Sequence, residues 1–442
     1  MNKRSFRLLV GTMIVGTLLT TSCKKEEVAP IDTTPIKEDV NDTLAKKEAT
    51  KTGFITKNEI WYADSIYFLK GKVIVQEGVT LTIQPGTIIK GKEGVATMAS
   101  ALIITRGAKI DAQGTPEKPI IFTSEFDNIK TGELKGTNLS KSDSQKWGGL
   151  IILGKSLISA KTGDKETTIE GIPADEKYGL YGGNEANDNS GILKYVSIRH
   201  NGATIAEGKE INGLTLGGVG SGTKIENIEI YATSDDGIEC FGGSVDLTNI
   251  LVYYQGDDGI DLDQNYSGKI ENFMVIQGDL AIGTDKGLEI DGPEGTTNKL
   301  GLFTLKNGIL RSEDTKGVPA DFKDMAQGKI ENVTFEYENA LSKEIKIRAN
   351  FDSKNECSQL NDAYTNLTGI SPTLVFINNK LGSTKGVVYN GVPKDPAGLQ
   401  VCDNLTETDQ TNVKEKITNG TGSNLDVSIF NWTNASKKGE LK

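Results

Sequence analysis

Lys224-Ile225-Glu226-Asn227-Ile228-Glu229-Ile230 leads into Ser234-Asp235-Asp236-Gly237-Ile238-Glu239. The phrase returns as Val245-Asp246-Leu247-Thr248-Asn249-Ile250-Leu251-Val252, followed by Gly256-Asp257-Asp258-Gly259-Ile260-Asp261. It returns again as Lys269-Ile270-Glu271-Asn272-Phe273-Met274-Val275-Ile276, followed by Asp285-Lys286-Gly287-Leu288-Glu289-Ile290-Asp291. Gly237 and Gly259 are 22 residues apart, and Gly259 and Gly287 are 28 apart. A period of this size marks a solenoid. Each unit holds two short aliphatic strands, and strands so short need several neighbours to be stable. No helical pattern of about 10 to 15 residues lies between them, so βαβ crossovers are disfavoured. Parallel pairing without helices forces the chain to coil. The expected fold class is therefore all-β: a right-handed parallel β-helix with irregular C-terminal rungs and a cap. Ile225, Val245 and Ile270 are expected to stack inward, as are Ile238, Ile260 and Leu288.

Composition agrees. Of 442 residues, 51 are Gly and only 6% are aromatic, which suits many tight corners around an aliphatic core. Net charge is −11. Phosphate binding needs basic patches, so a nucleic-acid partner is excluded on charge.

Residues 1–22 are set apart from the fold. Lys3, Arg4 and Arg7 precede an apolar run from Leu8 to Leu19, too short to span a bilayer. Thr20-Thr21-Ser22-Cys23 follows and resembles a bacterial lipoprotein signal, which implies lipidation of Cys23. An ordinary secretory signal is the alternative. Lys24-Lys25-Glu26-Glu27 resembles the export signal of surface lipoproteins of Bacteroidetes-type bacteria. It implies an outer-membrane, lipid-anchored protein facing the exterior; a plain polar tether is the alternative. Residues 23–53 read as the lipidated Cys and a flexible linker, and residues 54–442 as the β-helix domain.

Short β-branched runs such as Val73–Val75, Leu81–Ile83 and Ala101–Ile104 read as the first rungs. Residues 125–148 read as a polar loop. Residues 160–190 are a long insertion, and insertions in repeat proteins often carry function. Gly328-Lys329-Ile330-Glu331-Asn332 echoes the repeat, and Phe430-Asn431-Trp432 reads as a closing apolar cap.

Several phrases together resemble an uncharacterised family of secreted and surface lipoproteins with a pectin-lyase-like β-helix. They are Leu81–Gly86, Ala101–Ile110, Trp147–Gly149, Leu193–Arg199, Glu210–Gly220, Ser234–Gly243 and Phe430–Leu441. The resemblance implies architecture and location, and no firm biochemical role.

The chemistry lies in the acids. With Ile238, Ile260 and Leu288 inward, Glu239, Asp261 and Glu289 point outward and stack. At an effective dielectric of about 20, carboxylates ~4.8 Å apart repel by roughly 3 kcal/mol. Calcium bound by Asp235, Asp236, Glu239, Asp257, Asp258, Asp261 and Asp263 would relieve this. The alternative is a solvated face whose corner Asp side chains cap turn amides. Gly256-Asp257-Asp258 resembles the paired-Asp element of polygalacturonase-type hydrolases, although that family's downstream Gly-His-Gly has no counterpart. A polysaccharide lyase would combine such acids with a base, for which Arg199 and Lys286 are near in sequence. If the protein is an enzyme, its candidates are Asp257, Asp258, Asp236 and Arg199. His200, the one histidine, reads as a surface or turn residue. Cys357 and Cys402 are expected to form a disulfide, and Cys240 to be a buried free thiol. The expected function is non-catalytic glycan binding or adhesion between residues 160 and 295, with a lyase before a hydrolase as alternative. An outer-membrane transporter is a candidate partner.

Overall fold

The computed structural model describes residues 47–94, 98–161, 163–204, 211–278, 283–351, 360–389 and 405–441. Cys23 with its flanking signal, and Cys357 and Cys402, lie outside the described residues. The first strand, Lys47–Ile55, reaches back into the stretch expected to be linker and pairs in parallel with Ser65–Val75.

The chain forms a right-handed parallel β-helix, its strands joined into one parallel sheet system. Lys224–Tyr231 shows how a rung is made. Ile225, Ile228 and Ile230 all enter the core, which strict alternation would forbid. Asn227 resolves this by adopting φ 57°, the left-handed conformation that asparagine tolerates best among non-glycine residues. It turns the strand through a corner and shifts its parity by one. Asn249, Asn272, Asn307 and Asn332 do the same at successive rungs. Their amides form a ladder: Asn249 donates to Asn227, Asn272 to Asn249 and Asn307 to Asn272, at 3.0, 3.0 and 2.7 Å.

These corners set the register. Leu193, Ile225, Leu247, Ile270, Leu305 and Ile330 stack in one inward row. Leu247, not the expected Val245, holds the second place, because Asn249 must sit over Asn227. Val245 is buried at the entry to its rung. Ile238, Ile260 and Leu288 stack as expected. Cys240 stacks between Leu216 and Leu262 in the core as a free thiol.

The Asp-Asp-Gly corners are crowded. A Cβ at Gly237 would collide with Val252, and one at Gly259 with Val275. Glycine is therefore required there for close packing.

The C-terminal end is closed by helices. α1 (Ala363–Thr368) and α2 (Glu407–Lys416) lie against the last rungs, and Val413 and Ile417 join the core. The expected cap, Phe430-Asn431-Trp432, sits elsewhere. The final segment returns along the side of the coil, where Phe430 and Ala435 pack on Tyr231, Tyr253 and Met274. α3 (Asn434–Lys437) begins over Glu229, whose carboxylate accepts the amide protons of Asn434 and Ala435 at 2.8 and 2.9 Å. The outward aromatic stack of Tyr231 and Tyr253 needed a cover, and this segment supplies it.

Candidate functional site

The strand Ile238–Phe241 and its successors carry one outward row. Thr215, Glu239, Asp261, Glu289, Asp321 and Lys346 pair in sequence along it. The expected stacking of Glu239, Asp261 and Glu289 is thus present. What differs is their surroundings. Glu239 and Asp261 are only 6% and 9% exposed, and Asp236 and Asp258 6% and 1%. This is a buried acidic seam, not a solvated face. One wall is the insertion, whose Tyr181 packs on Phe241 and donates to Gln264 at 3.2 Å.

The corner aspartates stitch rungs together. Asp236 Oδ1 accepts the amide proton of Asp258 at 2.9 Å, and Asp258 Oδ1 accepts that of Lys286 at 2.8 Å. Both readings of these residues therefore have a part: they cap turn amides and they crowd together. Oxygens of Asp236, Glu239 and Asp261 lie within 4.8 Å of one another, as do those of Asp235, Asp236 and Asp257. The same holds for Asp258, Asp261 and Glu289, and for Asp263, Asp291 and Glu294. All seven expected metal ligands are brought into this seam. Asp285 and Glu294 belong to it too. Only the coil register could have shown this, since both lie in irregular turns.

The electrostatics divide the seam. Lys286 reaches Asp285, Glu289 and Asp258 at 2.7, 3.3 and 3.5 Å. Lys323 reaches Glu289 and Asp291 at 2.5 and 3.4 Å. Burial works against the charge of Glu289, but the neighbouring Asp258 carboxyl and the Lys286 and Lys323 ammonium groups hold its pKa down at about 2. Burial would lower Lys286 and Lys323 as well, yet the surrounding carboxylates raise both. Asp236, Glu239 and Asp261 have no such partner: none forms an ion pair with Lys or Arg among the described residues. Burial, then neighbouring carboxylates, push all three well above the usual range. Burial and Glu294 raise Asp263 to about 7; burial and Asp263 raise Asp291 to about 9. Asp261 Oδ1 and Asp291 Oδ1 are buried with no hydrogen-bond donor among the described residues. Buried orphan oxygens are costly, and oxygen ligands in such a set suit a hard divalent cation.

Arg199 is not part of this site. It lies on another face, 1% exposed, donating to Ser197 at 2.7 Å beside Glu229. His200 sits at a bend, as the turn half of its reading had it, but it is buried, which corrects the surface half. Its φ is 59°, its Nδ1 lies 2.6 Å from the Asp143 carbonyl oxygen, and its ring meets Tyr231 edge-on. Burial lowers its pKa to about 4.

The model of a pectate-lyase-like β-helix domain matches residues 53–436. The chain belongs to that family. Comparison with curated proteins and with solved structures returns no match. At its C-terminal end a cleft of about 380 Å³ is lined by Glu289, Lys323, Lys346 and Arg348. Arg348 is held there by Asp321 through two hydrogen bonds of 2.8 and 2.5 Å.

Proposed function

We propose that the protein binds glycan without cleaving it, on the face that carries the acidic seam, and that Asp236, Glu239 and Asp261 hold a calcium ion that stiffens this face. The observation that carries the reading is how the charged groups are committed. Asp258, the second Asp of the hydrolase-like pair, is buried, bonded to the backbone amide of Lys286, and pushed well above the usual carboxylate range by burial and Glu289. A general acid or base must reach the substrate, and this group does not. Lys286 and Lys323 are raised, so neither supplies the neutral amine that proton abstraction requires. The three carboxylates that form no ion pair with Lys or Arg among the described residues, and the orphan Oδ1 of Asp261, suit a cation.

A second reading is a polysaccharide lyase acting on acidic glycan. It is favoured by Lys346, which forms no ion pair among the described residues and lines the cleft beside Glu289. We further propose a lipid anchor on Cys23 and display at the outer surface of the outer membrane, where a transporter is the candidate protein partner. The support is residues 3–27 alone.

The test uses residues 24–442 and a panel of plant, algal and host polysaccharides, with calcium or with chelator. Retention on immobilised glycan without new reducing ends or unsaturated products is expected. Unsaturated products that vanish in Lys346→Ala would replace this reading with the lyase.

A further inference from the structure

The outward row that bears the acids continues to the other end of the coil. Thr215 pairs with Ile151, Ile151 with Ile103, Ile103 with Ile74, and Ile74 with Phe54. Over the middle of this stretch the insertion forms a roof: Ile74, Ile103 and Ile151 are buried beneath Ile158, Ile169, Ile172 and Tyr181. The roof stops short of the first rung. Phe54, next in the row, is 53% exposed, while its neighbour Ile55 turns into the core. Tyr178, at the lip of the roof, meets it edge-on, ring centroids 6.1 Å apart at 78°. The face of Phe54 is therefore not stacked on Tyr178. Between the first rungs and the roof opens a cavity of about 910 Å³, lined by Phe54, Ile74, Gln76, Arg106, Tyr178 and Leu180.

We infer that this cavity is a carbohydrate subsite that stacks one neutral pyranose ring on the face of Phe54, with the perpendicular ring of Tyr178 against its edge. The inference rests on the glycan-binding reading above and names the class of sugar. An apolar floor with a few planar polar groups at its rim is the composition of a small-molecule site. Aromatic rings take the C–H face of a sugar, and planar amide, guanidinium and carboxylate groups take its hydroxyls. Gln76 is exposed at the rim and offers both donor and acceptor. Arg106 is fixed by the Gly182 carbonyl at 2.9 Å and by Glu166 at 2.6 Å, so its plane is held in place. The charge at the rim disfavours a uronate: Arg106 is paired with Glu166 and Glu77 with Lys155, which leaves Asp175 and Glu176 against Lys177. Five register steps separate Phe54 from Glu239, roughly 24 Å along the axis. A chain bound here could thus run over the roof towards the acidic seam.

The experiment compares the affinity of neutral and uronate-containing polysaccharides for the wild-type chain, Phe54→Ala, Tyr178→Ala and Tyr178→Phe, with thermal melting of each as the fold control. Phe54 is exposed, so its replacement leaves the core intact. The inference expects neutral glycan to bind the wild type. Phe54→Ala and Tyr178→Ala should weaken it roughly tenfold or more, with Tyr178→Phe close to wild type. Binding unchanged in both alanine variants would overturn the subsite and leave glycan binding standing elsewhere on the coil. Tighter binding of the uronate polymer, lost in the same variants, would overturn the neutral-sugar assignment. No glycan bound by the wild type would overturn both, and sedimentation of the same samples would show whether a second copy of the chain occupies the cleft instead.

Discussion

Asp236 Oδ1 accepts the backbone amide proton of Asp258 from the next rung, 2.9 Å away, and Asp258 repeats the contact with Lys286 at 2.8 Å. One side-chain oxygen thus binds each corner to the next, which is why the second Asp of the repeat recurs. Asp258→Ala strips the acceptor from the Lys286 amide and is expected to cost about 1–3 kcal/mol. Asp258→Asn keeps an acceptor oxygen and should fall much closer to wild type. Urea unfolding of the two variants checks this; equal losses would show that the amide contact contributes nothing.

The asparagine ladder makes a separate claim about backbone. Asn272 adopts φ 58°, donates to Asn249 and accepts from Asn307. Asn272→Gly loses the side-chain bonds and keeps the conformation. Asn272→Ala loses both, and a left-handed Ala costs roughly 1–2 kcal/mol more. The expected order of stability is wild type, then Gly, then Ala. An Ala variant as stable as the Gly variant would mean that the corner does not depend on φ.

Raised carboxylates give the metal-free protein an unusual pH profile. Asp263 at about 7 and Asp291 at about 9 lie above their unfolded values near 4. The folded state then holds more protons than the unfolded one between about pH 4 and 9. In chelator, stability should therefore fall as pH rises through that window, the reverse of ordinary carboxylate behaviour. Melting temperatures from pH 5 to 9 test this. A rising curve would show that these groups ionise freely in the fold.

The side strap depends on one buried acid. Glu229 accepts the amides of Asn434 and Ala435 and the hydroxyl of Ser197, and it lies beside Arg199, whose Nη1 has no hydrogen-bond partner among the described residues. Removing it leaves a buried guanidinium uncompensated, a loss of roughly 3–5 kcal/mol. Glu229→Ala should also expose residues 423–441 to limited proteolysis, while Asp258→Ala should not. Equal resistance in both would detach the strap from Glu229.

The coil, its inward rows and the stacking of Glu239 on Asp261 were legible in the sequence because they are periodic and local. The asparagine corners were in plain view in Lys224–Asn227 and Lys269–Asn272, yet their effect on parity was not, and Val245 was placed in the row of Leu247 for that reason. The burial of His200 was not legible because nothing nearby in sequence announces the Asp143 carbonyl and Tyr231 that bury it. Phe430 and Trp432 read as a terminal cap because they come last. Their partners lie some 200 residues earlier, and only the folded coil brings Glu229 to Asn434. The acids looked solvated because a roof built from residues 158–182 cannot be seen in a row of carboxylates.

The most direct test of the central claim is a calorimetric titration of calcium into chelator-treated wild type and Asp261→Asn, with melting curves of both. The account expects calcium to bind the wild type with release of protons, more tightly at pH 8 than at pH 6, and to raise its melting temperature. At a hundredfold excess over Kd the gain would be about 2.7 kcal/mol. It expects Asp261→Asn to be at least as stable as wild type without calcium, since one repelling carboxylate is gone, and to gain little on calcium addition. No heat of binding and an unchanged melting temperature in the wild type would contradict the account and leave the seam a store of protonated acids.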